Sequence, residues 1–331
     1  MAYELKRMQG KRCLITGGLG FIGSNIAHKL AELGAEVSIL DACLDPFGWN
    51  FANIKEIKDK VRFTKADIRD EKAMAAAVKD KDFIFNCAGQ ISHVDSMTDP
   101  FLDLDINCRG TLTLLEACRR FNDKAKIVYA GTRGQMGSLH YSPADEEHPD
   151  NPTDIYGADK WAAEKYHLIY HSAFGIPATS LRINNTYGER HQMKHAKYGI
   201  MNWFIRLALD GKEIPVYGDG SQTRDYNYIT DVVNAAVLAA QSPKTDGKYY
   251  LLGSGSEIKF IDMVKAVIAA AGSGSYKFVP WPADRKAIEI GNFFVSYKKI
   301  RDELGWEPRT AMEDGLRRTV AFYKERHKEY W

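Results

Sequence analysis

Tyr156-Gly-Ala-Asp-Lys160 sets a phenol and an ammonium four residues apart, so a helix running through them presents both on one face. Of the 17 tyrosines, Tyr156 alone has a lysine at that distance. A cation beside a phenol favours phenolate, so the spacing predicts a tyrosine whose pKa is drawn down towards working pH and which acts as a general base. A second group of residues points to what such a base works with. Gly17, Gly20 and Gly23 follow the apolar run Cys13-Leu14-Ile15 and precede Ile22, Ile26, Leu30 and Leu33, which fall on one helical face. Strand, glycine turn and helix in that order let a pyrophosphate approach main-chain N–H groups at a helix N-terminus. Asp41 then ends a second buried run, Ala35 to Asp41. An acid there accepts the hydroxyls of an adenosine ribose and repels a 2′-phosphate, which favours NAD over NADP.

The elements that must position these residues alternate along the first half of the chain. Val61–Asp67 reads as a strand and turn, Glu71–Lys79 as a helix, Phe83–Gly89 as a strand ending on small residues, and Asp105–Cys118 as a helix. Lys126–Ala130 reads as a fifth strand, Asp154–Phe174 as a long helix and Pro177–Arg182 as a sixth strand. This predicts an α/β fold with a Rossmann-type doubly wound parallel sheet, and a smaller C-terminal substrate-binding lobe. Gly17, Asp41, Ala88 and Thr132 then lie along one edge, at the carboxyl ends of their strands. The expected division is a dinucleotide-binding domain over residues 1–183, to which 231–253 return, and a substrate lobe over 184–230 and 254–331.

Composition narrows the class. The chain has 331 residues, 45 basic against 43 acidic, and no dense basic stripe, which argues against a nucleic-acid partner. Neither the N-terminus nor any internal run has the length and apolarity of a signal peptide or a membrane span, so a cytoplasmic protein is expected. The five cysteines are scattered without a Cys-x-x-Cys pair and read as reduced core residues. His167 with His171, and His191 with His195, stand four apart, but no acidic third ligand accompanies either pair. They read as helix-surface or interface histidines, and no metal is expected.

Taken together, Thr16-Gly-Gly-Leu-Gly-Phe-Ile-Gly23, Asp41, Asp67-Ile68, Asn107, Thr132 and Tyr156-x-x-x-Lys160 resemble the extended short-chain dehydrogenase/reductases, and among them the nucleotide-sugar epimerases and dehydratases. Asn185-Thr-Tyr-Gly-Glu-Arg190, Gly218-Asp-Gly-Ser-Gln-Thr-Arg224-Asp and Leu304-Gly-Trp-Glu-Pro308 extend the likeness over nearly the whole chain. The resemblance implies that Gly17, Gly20, Phe21, Ile22 and Gly23 hold the NAD pyrophosphate, Asp41 the adenosine ribose, Asp67 and Ile68 the adenine edge, with Ala88 and Asn107 also at the cofactor. It implies Tyr156 as base, Lys160 on the nicotinamide ribose and depressing the tyrosine pKa, and Thr132 on the reacting hydroxyl. Asn185, Arg224 and Arg285 would grip the diphosphate of a sugar nucleotide, with Tyr217 near its base and Arg133 at the substrate. A homodimer is also implied.

The departures from that pattern bear on the reaction. In similar 4,6-dehydratases Asp and Glu directly follow the threonine, whereas here Arg133 and Gly134 do, so the acid and base for water loss are missing from that place. What remains is oxidation and re-reduction at one carbon: an NAD-dependent isomerase that epimerises a nucleotide-diphosphate hexose or hexuronate, with C4 as first choice. The alternatives are a C2 epimerase of the CDP-paratose type, a 4,6-dehydratase, and a non-catalytic protein that binds NAD or a sugar nucleotide. Met136 stands where a tyrosine is usual, and the sequence offers no reason for it.

Overall fold

In the sheet-forming runs, alternate residues are apolar towards opposite faces, which requires a core on each side. The computed structural model describes residues 3–283, 286 and 289–331, and it satisfies that requirement. Strands β1 (Arg12–Thr16), β2 (Glu36–Asp41), β3 (Val61–Lys65), β4 (Phe83–Asn86), β5 (Lys126–Thr132) and β6 (Ala178–Ile183) lie in one sheet. After β7 (Asn185–Tyr187), β8 (Glu213–Tyr217), β9 (Thr223–Arg224) and β10 (Tyr226–Tyr228), strand β11 (Lys248–Leu252) returns to it. The order is β11-β6-β5-β4-β1-β2-β3, seven strands, all parallel. Cys13, Ile15, Ile39, Phe85 and Val128 face one core, and Leu14, Leu40, Ile84 and Ile127 face the other.

Helices α1 (Phe21–Glu32) and α2 (Glu71–Ala77) begin where expected. The single helix expected over 105–118 is more elaborate. Two short helices, α3 (His93–Thr98) and α4 (Pro100–Leu104), precede a π-turn at Asp105–Arg109, which runs into α5 (Gly110–Phe121). Side-chain caps divide them: Ser92 accepts from Asp95 N–H at 3.1 Å, and Asp99 from Leu102 N–H at 3.1 Å, just before Pro100. The long helix α6 (Ile155–Phe174) is capped by Asp154, which accepts from Gly157 N–H at 2.7 Å. Beyond it, helices α7 (Ile200–Leu209), α8 (Ile229–Gln241) and α9 (Phe260–Ala271) alternate with small sheets. There β7 pairs with β10, β9 with β12 (Ile258–Lys259), and β8 with β13 (Ser275–Val279). One core runs from Ile15 through Phe204 and Val264 to Trp306, so the second half packs on the first over shared side chains.

The histidine expectation needs correction. His167 is buried, stacked on Tyr129 at 4.5 Å, and His191 is buried against Phe21 at 4.7 Å. Apolar surroundings hold both imidazoles neutral, with pKa pushed down to about 4. No cluster able to hold a metal occurs among the described residues. Met136 also finds its reason: it is fully buried with Ala144, Leu251, Phe293 and Val295, a small core under the loop that carries Arg133.

A buried ion cluster ties α6 to β6. Arg182 on β6 meets Glu164 of α6 at 2.7 Å and Asp150 at 2.5 Å, and both Arg182 and Glu164 are shielded from solvent. Arg182→Met leaves the Glu164 carboxylate without its cation, so urea unfolding should report a loss of about 3–5 kcal/mol. A loss of less than about 1 kcal/mol would mean that the cluster does not anchor the helix.

Candidate active site

Two adjoining hollows open at the carboxyl edge of the sheet. The first, about 170 Å³, is walled by Gly17, Gly20, Phe21, Ile22, Gly23, Asp41, Asp67, Ile68 and Ala88. The chain needs glycine at Gly17, where φ is +67° and a β-carbon would stand 2.8 Å from Ala88 N. At Gly23 a β-carbon would stand 2.4 Å from Gly17 O. Gly20, the residue before α1, leaves the first amides of that helix without a side-chain cap, so they face the hollow as donors for an anion. Among the described residues no lysine or arginine lines this hollow, so backbone N–H groups and the helix end supply the positive potential.

Asp41 is fixed by two backbone donors, Leu19 N–H at 3.0 Å and Cys43 N–H at 2.9 Å, while burial raises its pKa. Each carboxylate oxygen keeps a lone pair for another donor. Asp67 is engaged by Arg69 at 2.7 Å, which holds its carboxyl below the usual range. Asn107 lies off the wall: its Nδ2 donates to Gln90 O at 3.1 Å and to Asp103 Oδ1 at 2.9 Å, and its Oδ1 sits under Gly89. It shapes the floor from behind, and Ile106 takes the place on the wall.

The second hollow, about 410 Å³, shares Phe21, Ile22, Cys87, Ile91 and His191 with the first. It is lined by Thr132, Arg133, Tyr156, Lys160, Asn185, Tyr217 and Arg224, residues from four separate stretches of chain. Arg285 lies outside the described residues. Tyr156 stands one residue inside the α6 N-terminus and Thr132 at the end of β5; both line this hollow, with the Thr132 hydroxyl near enough to act on the phenol. Lys160, one turn on, donates to Ala130 O at 2.7 Å and lies over the Tyr129 ring at 4.2 Å.

The electrostatics correct one expectation. The Tyr156 pKa is not lowered here: burial pushes it up to about 12, and the Thr132 hydroxyl and the Arg133 charge offset only part of that. Burial likewise brings the Lys160 ammonium down to about 8. Burial is the largest cause of both shifts, and Lys160 is not among the chief groups acting on the phenol.

Several lining residues were not found by sequence reasoning. His93, at the start of α3, hydrogen-bonds Asp154 through Nδ1 at 2.5 Å and stands edge-on to the Tyr156 ring at 4.8 Å. Nothing in local periodicity links residues 93 and 154; only the helix-cap position of Asp154 was legible. Tyr226, Glu289 and Trp281 also line this hollow, with Trp281 lying 5.3 Å from Tyr217. We expect the difference titration between the cofactor-free protein and Tyr156→Phe to show no phenolate absorbance from this residue below about pH 10. An ionisation near neutrality would mean that Lys160 acts on the phenol after all.

With this geometry, the comparisons with known proteins are consistent. The GDP-mannose 4,6-dehydratase family matches residues 14–319. UDP-glucose 4-epimerase of Mycolicibacterium smegmatis is 32% identical, over 95% of this chain and 99% of its own. dTDP-glucose 4,6-dehydratase of Streptomyces niveus is 30% identical, over 97% and 94%. Among solved structures, the UDP-glucose 4-epimerase of Thermus thermophilus in complex with NAD superposes with a TM-score of 0.85, at 32% identity, covering 95% of this chain and 99% of that one. With its seven-stranded parallel sheet, uncapped glycine turn and Tyr156–Thr132 pair, the chain belongs to the extended short-chain dehydrogenase/reductases, in the family of nucleotide-sugar epimerases and dehydratases.

Proposed function

We propose that this protein is an NAD-dependent epimerase of nucleotide-diphosphate sugars, inverting one carbon through a transient keto-sugar, C4 before C2. The observation that carries the reading is the Tyr156–Thr132 pair, placed in a hollow continuous with the glycine-walled one, with Arg133 and Gly134 directly after the threonine in place of a carboxylic acid pair. The fit to NAD rests on the uncapped α1 amides, the close Gly17 turn and the anchored Asp41 carboxylate. NAD, when bound, supplies the hydride acceptor and donor. The chain's own residues do the rest. Thr132 orients a sugar hydroxyl, Tyr156 takes its proton and later returns it, and Asn185 and Arg224 hold the diphosphate while the sugar turns over.

Because burial holds Tyr156 protonated, its activation belongs to the loaded site, where the positive charge that NAD would bring favours phenolate. A homodimer through α4, α5 and α6 is part of the proposal; exposed Phe101, Leu104, Trp161, Ile169 and Phe174 support it.

One observation favours a second reading, elimination of water from the sugar. His93, backed by Asp154, places a proton-transfer group in the same hollow that the residues after Thr132 do not provide. Turnover of UDP-, GDP-, CDP- and dTDP-sugars in heavy water, followed by NMR, separates the two. The epimerase gives product free of carbon-bound deuterium; elimination places deuterium beside the keto carbon. For the epimerase, Tyr156→Phe should cut turnover by about 10²–10⁴ while NAD still binds, and near-normal activity would remove Tyr156 from the role of base.

A further inference from the structure

The two arginines of the second hollow are not equivalent. Arg224 is already matched: its Nη2 meets the Glu289 carboxylate at 2.5 Å, and its Nη1 donates to the carbonyls of Thr223, at 2.9 Å, and Gly291. Arg133 is not. Its Nε donates to Asn185 Oδ1 at 3.1 Å, its plane lies over the Phe293 ring at 5.1 Å, and its two terminal nitrogens make no hydrogen bond among the described residues. The Asn185 bond and the Phe293 ring fix the guanidinium plane and leave its outer edge as a two-pronged donor. Close by, the Tyr226 hydroxyl is buried without a partner among the described residues, and it lines the same hollow. Burial and the neighbouring Arg224 charge together outweigh the Glu289 carboxylate and bring the Arg133 pKa down to about 10, so a further anion at its free edge would be favourable.

The position of that edge says which part of a ligand it meets. The Arg133 guanidinium and the Tyr156 phenol line the same hollow and are near enough for each to act on the other's charge, so Arg133 reaches towards the end where the sugar would react. Tyr217 and Trp281 form another wall. We propose that Arg133, with Tyr226, forms a carboxylate subsite, so that the preferred substrates are nucleotide sugars bearing an acid on the sugar ring, hexuronates above all. A guanidinium edge fits a planar carboxylate through two parallel N–H···O bonds, and a phenol beside it donates a third. This rests on the sugar-nucleotide reading above and names its substrate class.

An anion at Arg133 could also come from the diphosphate, and the experiment separates the two sources. Binding to the NAD-loaded full-length chain is measured by calorimetry for UDP-glucuronate, UDP-glucose and UDP alone, and the matched series on dTDP is run beside it. We expect the uronate to bind at least about tenfold tighter than the hexose, as a bidentate charged contact allows. In Arg133→Gln the ratio of uronate to hexose affinity should fall to about one, and Arg133→Lys should keep part of the preference. Equal affinities for uronate and hexose in the wild-type chain would overturn the proposal. So would an Arg133→Gln variant that weakens uronate, hexose and free nucleoside diphosphate alike, which would assign Arg133 to the phosphates. Should the variant fail to fold, the wild-type ratio decides alone. Binding is read without turnover, so tight uronate binding without epimerisation would refute the proposed reaction and leave the subsite standing.

Discussion

The whole edge of this molecule hangs on the close approach of the Gly17 turn to the backbone at the end of β4. Gly17 N–H donates to Leu40 O at 2.8 Å, Thr16 Oγ1 donates to Asn86 Oδ1 at 2.8 Å, and Ala88 N–H reaches Thr16 Oγ1 at 3.3 Å. Three strand ends are thereby drawn to one point. Side chains larger than hydrogen are excluded from the turn, and the amides of α1 are left pointing into the space between. Asp41 is held at its place by Leu19 N–H from this same turn, and the second hollow begins where the first shares Phe21 and Ile22 with it. A backbone constraint at one glycine therefore sets where the α1 amides, the Asp41 carboxylate and the second hollow lie relative to one another.

Charge is distributed across the two hollows to suit that order. Among the described residues, the first has carboxylates and backbone donors but no lysine or arginine; the second collects Arg133, Arg224 and Lys160. Burial raises Tyr156 and lowers Lys160 and Arg133. A ligand anion placed beside Arg133 or Lys160 would offset that desolvation. A tyrosine–lysine spacing alone therefore does not produce an acidic tyrosine, because burial of the phenol outweighs what lowers it.

Much of the fold was legible because its signals are local. Runs of β-branched and apolar residues bounded by turns located the strands, and the sixth, read as Pro177–Arg182, is observed at Ala178–Ile183. The glycine turn, Asp41 and the Tyr156–Lys160 face were legible for the same reason: each is a short spacing within one or two elements. The parts that were not legible depend on long-range juxtaposition or on caps. The division of residues 93–121 into two short helices, a π-turn and α5 hangs on Ser92 and Asp99. The His93–Asp154 contact joins residues 61 apart, and the Glu289 contact on Arg224 joins residues 65 apart. The burial of His167 and His191 follows from tertiary packing that a four-residue spacing does not encode.

The central claim is that one hydrogen leaves the sugar carbon and the same hydrogen returns to it on the other face. Its most direct measurement uses a nucleotide sugar carrying deuterium on the carbon that inverts, turned over in ordinary water and followed by NMR. The account predicts an inverted product that keeps the full deuterium label on that same carbon through many turnovers. Loss of the label to solvent, or its appearance on a neighbouring carbon, would contradict it.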